Sequence, residues 1–189
     1  MQNNEIQFAL VIMVVIVASS SLSLWQAYKD YKLRNTLPPQ TAVTIWGTYT
    51  LFSIFTVFAA LHSFWPILIS KEVSNVSGAL LCFIGAMICL VGLIAFRSFK
   101  RMSGIKTYDV IATGIYRWSR NPQNLGWGMV LLGISLIGRS ALALLVAILF
   151  FLIIHLYLVY MEEPYLEKIF GEKYREYRSR TPRYFGYLK

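Results

Sequence analysis

LGWGMVLLGISLIGRSALALLVAILFFLIIHLYLVY (residues 125–160) is two apolar runs broken only by Gly138-Arg139-Ser140. A glycine followed by polar residues between apolar segments marks a turn, so the stretch reads as two helices folded back on each other. The second run, Ala141 to Tyr160, matches the roughly 20 apolar residues a helix needs to cross hydrocarbon. The first, Leu125 to Ile137, is short for it. Three further runs qualify or nearly so: Ile6 to Tyr28, Ala42 to Ile69 and Val76 to Phe96. The chain therefore reads as all-α, a polytopic membrane protein of five transmembrane segments, the last two a helical hairpin. Composition points the same way. With 57% hydrophobic and 14% charged residues and a mean hydropathy of +0.55, the chain falls outside the soluble globular class.

A net charge of +9 raises the question of nucleic acid, and its placement answers against it. With five spans, 16 of the 18 Lys and Arg residues fall on one side, leaving Lys71 and Arg139 opposite. The positive-inside rule then puts the tail and the 97–124 loop in the cytoplasm and the N-terminus outside. The basic excess sets topology and favours anionic lipid headgroups; no nucleic-acid partner is expected. Small residues from Ala18 to Ser23 follow an apolar core, as at a signal-peptide cleavage site. MQNNEI, however, carries no Lys or Arg and does carry Glu5, so the first span reads as an uncleaved anchor.

No linker or repeat divides the chain, which reads as a single membrane domain over 1–189. Residues 1–96 form a three-span scaffold, and 97–189 form a cofactor-binding and catalytic region. In the third span Gly78, Cys82, Gly85, Cys89 and Gly92 line one helix face, and Gly126 and Gly133 repeat the seven-residue spacing in the fourth. Small residues so placed let two backbones approach closely; lining a bound cofactor is the lesser reading. Cys82 and Cys89 sit about 10 Å apart along one helix and cannot form a disulfide. With two histidines and two such cysteines, no metal site is expected.

Three polar features remain. TGIYRWSRNPQNLGWG (113–128) puts a proline at a helix start, where its missing N–H costs nothing. Free amides and the positive dipole end there suit a carboxylate ligand, or simply a capped helix with Arg117 and Arg120 reaching headgroups. MEEPYLEKIFGEKYREY (161–177) puts Glu162 and Glu163 at the end of the last span, where a helix dipole prefers cations. Arg117, Arg120 or a cationic ligand should compensate. After Pro164, the spacing of Tyr165, Leu166, Ile169, Phe170 and Tyr174 predicts an amphipathic C-terminal helix on the cytoplasmic side, lying on the membrane or folded over the site. His155 stands two turns before Glu162 and shares its face by helical register, as a candidate base or a packing residue. No dinucleotide fingerprint, Walker loop or nucleophile elbow occurs.

The order T-G-x-Y-R-x-x-R-N-P, hairpin, E-E-x-x-L-x-x-x-F-G-x-x-Y-x-x-Y and T-P-R-Y-F resembles the integral-membrane methyltransferases over roughly residues 106–185. That superfamily includes isoprenylcysteine carboxyl methyltransferases and phospholipid N-methyltransferases. The resemblance implies S-adenosylmethionine as methyl donor and a lipid or other hydrophobic small molecule, drawn from the membrane lipids, as acceptor. It implies that Tyr116, Asn121, Pro122, Gln123 and Asn124 line the cofactor pocket and that Val110 and Ile111 add backbone contacts. Glu162 and Glu163 would hold the donor's cationic or hydroxyl groups. As catalytic candidates, His155 or a motif glutamate would take a proton, while Arg120 and Arg183 would grip a lipid phosphate.

Departures bear on the substrate. Many relatives have a histidine where Asn121 stands and a tyrosine where Asn124 stands. Prenylcysteine enzymes resemble one another in an arginine at the position of Leu158, which weighs against a carboxylate-bearing acceptor. N-L-G-W-G-M and E-E-P-Y look similar to the phospholipid versions, so a phospholipid amine headgroup is favoured. The alternatives are carboxyl O-methyl transfer, transfer to a small thiol or amine, a membrane sterol-type reductase, and a non-catalytic lipid-binding protein.

Overall fold

The computed structural model describes residues 2–33, 37–96 and 109–186. Six of the basic residues used in the charge sorting, Arg34, Arg97, Lys100, Arg101, Lys106 and Lys189, lie outside them. Among these residues seven α-helices follow in chain order: α1 (Gln2–Leu33), α2 (Pro39–Leu61), α3 (Lys71–Phe96), α4 (Pro122–Ile137), α5 (Ala141–Tyr157), α6 (Glu163–Phe170) and α7 (Glu172–Arg180). A 3-10 turn (Gly114–Arg117) precedes α4, and a π turn (Leu158–Glu162) joins α5 to α6. The described residues contain no strand, only an isolated bridge between Pro66 and Ser140.

Among the described residues four stretches are long and apolar enough to cross a membrane: Glu5–Leu33, Pro39–Leu61, Lys71–Ala95 and Ala141–Phe170. The chain is accordingly a multi-pass membrane protein. At 16 residues, α4 spans about 24 Å of a hydrocarbon layer about 30 Å thick, so it does not qualify by length. It starts at Pro122 and ends against Gly138, whose added Cβ would lie 2.5 Å from Ala60 Cα. The turn into α5 is capped by Ser140, whose hydroxyl accepts from Ala143 N at 3.1 Å and donates to Phe64 O at 2.7 Å.

That same turn corrects the second span. The run to Ile69 reads as one helix, yet α2 stops at Leu61. Residues 63–67 instead pair with the α4–α5 turn: Ile67 N donates to Arg139 O at 2.8 Å and Ala141 N to Trp65 O at 3.0 Å. Pro66 cannot continue a helix, and the positive φ of Ser63 and Trp65 turns the backbone back to satisfy both loops.

The core lies between α1, α2, α4 and α5, around Ile12, Ile16, Phe52, Leu131, Leu142, Val146 and Phe150. Polar side chains stitch α1 to α2 within it: Ser23 Oγ lies 2.8 Å from Thr48 Oγ1, and Thr44 donates to Gln26 Oε1 at 2.8 Å. In an apolar surround such bonds join helices that hydrophobicity alone would not hold together. α3 packs along α4, and here the small-residue spacing matters. A Cβ at Gly85 would lie 2.6 Å from Gly126 O, and one at Gly133 2.6 Å from Gly78 O. The stripe brings the two backbones together; Gly92 alone, with nothing nearer than 3.5 Å, is not needed for it.

The single amphipathic tail helix is in fact two. Gly171, at φ +53°, breaks it in a conformation that costs a side-chain-bearing residue dearly. α7 then folds back on the 113–121 segment. Tyr177 Oη donates to Tyr116 O at 2.8 Å, and Arg120 N donates to Pro182 O at 3.0 Å.

Candidate functional site: an acid-lined aromatic cavity

A cavity of about 210 Å3 opens among α1, α2, α3, the start of α4 and the π turn. Among the described residues, Glu162 is its one charged lining residue. Around it stand Tyr31 from α1, Trp46 and Tyr49 from α2, Trp127 from α4, and Tyr157, with the amides of Gln123 and Asn124. Asn124 Oδ1 accepts from Tyr49 Oη at 2.9 Å, and Gln123 Oε1 accepts from Tyr116 Oη at 2.6 Å. Tyr31 Oη lies 2.8 Å from Tyr157 Oη, and its ring stacks on Tyr165 at 4.1 Å between centroids. Each amide and phenol is thus fixed by a partner before any ligand arrives.

The two glutamates part company. Successive helix residues point about 100° apart, so Glu162 and Glu163 cannot face one ligand from one side. Glu163, which is buried, accepts from Arg183 Nε at 2.7 Å and Nη2 at 2.8 Å, a bidentate pair. Arg120 Nη1 lies 3.1 Å from its Oε1, and the same nitrogen donates to Tyr174 Oη at 3.4 Å. The hydrogen bonds that Arg183 donates to Glu163 hold its guanidinium above its usual pKa. Burial pushes the Tyr174 and Tyr177 phenols up as well, so both act as neutral hydrogen-bonding groups. Among the described residues the Glu162 carboxylate has no ion pair or hydrogen bond; the charge compensation expected for both acids serves Glu163 alone.

A π turn explains the other departure. Glu163 N donates to Leu158 O, five residues back, which shifts the register between His155 and Glu162. His155 Nδ1 lies 3.2 Å from Tyr184 Oη and is not among the cavity-lining residues, so the face predicted for the pair is not shared at the cavity. π turns of this kind recur at functional sites.

The remaining predicted residues fall into two groups. Gln123, Asn124 and Glu162 line the cavity, with Tyr116 behind Gln123. Asn121 and Pro122 are buried at the start of α4, where Asn121 Nδ2 donates to Arg183 O at 3.3 Å. Val110 and Ile111 are half-buried in an irregular segment and are not among the lining residues. Missed altogether were Tyr31, Trp46, Tyr49, Trp127 and Tyr157. Polar-tipped aromatics inside otherwise aliphatic spans were the signal; three of the five, Tyr31, Trp46 and Tyr49, come from the first two spans.

The fold and cavity define a helical membrane protein that holds one unpaired carboxylate within a box of aromatic rings. A model of the phospholipid methyltransferase family matches residues 73–173, more than half of the chain, and the protein belongs to that family. It is also similar to protein-S-isoprenylcysteine O-methyltransferase of Rattus norvegicus, at 24% identity over 173 residues, 89% of this chain. The chain spans 57% of that relative's length. No solved structure matches it.

Proposed function

We propose that the protein moves a methyl group from S-adenosylmethionine to the amine of a phospholipid headgroup. The charge of the cavity carries this reading. Aromatic faces and one carboxylate attract cations, and among the described residues no Lys, Arg or His lines the cavity. An acceptor carboxylate would find no positive partner there. Leu158, where the prenylcysteine enzymes carry arginine, is fully buried in the apolar core.

The residues present fit the donor. The unpaired Glu162 suits its ammonium or sulfonium, the Gln123 and Asn124 amides suit its hydroxyls, and the start of α4 suits its carboxylate. Tyr116 would hold Gln123 in place, Asn121 and Pro122 would set the helix start, and Val110 and Ile111 would add backbone contacts. When bound, the donor supplies a methyl group on a positively charged sulfur.

Glu162 is the group assigned to take a proton from the acceptor ammonium, which leaves the nitrogen lone pair free to attack. His155, whose ring meets Tyr184 outside the cavity, is the second candidate for this proton. The aromatic walls exclude water and fix the approach of the acceptor nitrogen. Arg120 and Arg183 are committed to Glu163, so we assign them a positioning role for the tail rather than the grip on a lipid phosphate.

Purified protein given methyl-labelled S-adenosylmethionine and total membrane lipid is expected to label an amine headgroup. Label in a prenylcysteine methyl ester would favour the second reading, carboxyl O-methyl transfer, which the rat relative supports. No transfer to any lipid would overturn both.

We also propose that α4 and α5 form a membrane hairpin giving five segments, with the tail cytoplasmic and the N-terminus outside. Ser179→Cys, exposed on α7, should then react with an impermeant maleimide only after the cells are permeabilised. Labelling of intact cells would reverse the orientation.

A further inference from the structure

A second groove, of about 220 Å3, runs outside the cavity between the end of α1 and the α5–α6 junction. Lys32 reaches it from α1 and Lys168 from α6, with Tyr28 and Tyr160 beside them and Met161 and Pro164 as apolar floor. Among the described residues no Asp or Glu lines it. The acids nearby in sequence are taken elsewhere: Asp30 accepts from Thr41, Glu163 holds Arg120 and Arg183, and Glu167 holds Arg178 at 2.7 Å. Lys32 Nζ donates to Tyr28 Oη at 3.0 Å and lies 5.3 Å from the centre of that ring, so its ammonium is positioned over the groove's edge. Among the described residues no carboxylate pairs with Lys32 or Lys168.

Both lysines sit where long apolar helices end, with Tyr28 and Tyr160 exposed at the same level. Aromatic rings and snorkelling lysines mark the headgroup layer of a bilayer. Two lysines lining one groove, over an apolar floor, match a phosphate that carries acyl chains better than a diffuse counterion. Tyr31 closes the back of the groove and also lines the Glu162 cavity, stacked against Tyr165.

We propose that this groove binds the phosphate of an anionic membrane lipid, at a site separate from the Glu162 cavity. The assignment does not depend on the methyl-transfer reading, since it rests on charge and position alone.

The test is native mass spectrometry of the full chain in mild detergent, incubated with phosphatidylglycerol or with phosphatidylcholine of the same acyl chains. The wild type is expected to retain one phosphatidylglycerol in preference to phosphatidylcholine, and more weakly as salt is raised. The K32Q/K168Q double variant should retain it about tenfold less or worse, given the contribution of each lysine near a membrane surface. K32R/K168R should bind as the wild type does, and K71Q, at the far end of α3, should change nothing. If the double variant fails to fold, K32Q and K168Q taken singly should each weaken retention. Equal retention of both lipids, or retention untouched by removing the lysines, overturns the proposal. Displacement of the lipid by inorganic phosphate at constant ionic strength would assign the groove to free phosphate and overturn it equally.

Discussion

Glu162→Gln is expected to lower methyl transfer by about 10²–10⁴-fold, the usual contribution of a positioned acid–base group, while leaving the fold intact. The substitution keeps the shape of the side chain and removes its charge. Glu162 carries the one charge in the cavity lining and has no ion-pair partner among the described residues, so nothing structural is broken. Both proposed tasks of the residue, attracting a cation and accepting a proton, fail together in the amide. Turnover of the variant against labelled donor, read beside its thermal unfolding in detergent, decides the matter. Activity within a factor of about ten of the wild type would remove Glu162 from the chemistry.

Glu163→Ala should behave in the opposite way, costing stability first. Its carboxylate neutralises two guanidiniums, and the Arg120 side chain is only 9% exposed. Removing one member of a buried ionic cluster leaves the others charged and desolvated, at a cost of about 3–5 kcal/mol. Arg183, at 27% exposure, can turn to water, so Arg183→Ala should cost less, about 1–3 kcal/mol for a charged hydrogen bond. Unfolding midpoints of the two variants in one detergent test the order. A Glu163→Ala protein as stable as the wild type would show that the cluster does not pin the tail to α4.

This contrast marks the limit of what could be read from the chain. Glu162 and Glu163 are adjacent and chemically identical, and the sequence offered both as ligands for one donor. One bond decides between them, the i to i+5 contact of Glu163 N to Leu158 O, together with two arginines arriving from residues 120 and 183. The shared face expected of His155 and Glu162 depends on the same turn, because a seven-residue register holds only while the helix stays α. The glycine stripe was legible, since close approach of two backbones follows from the absence of side chains wherever the helices meet. The early end of α2 was not: Pro66 hinted at it, but the partner that satisfies the freed backbone lies at residues 139–141.

Apolar runs gave the helical membrane class and the two polar motifs the methyltransferase family, because hydropathy and local pattern belong to contiguous residues and need no knowledge of packing. Which acid is free, which is clamped, and that α1 and α2 furnish three of the five aromatic rings were decided only when the helices packed. A cavity's charge is the sum over side chains from distant segments, and that sum exists only in three dimensions.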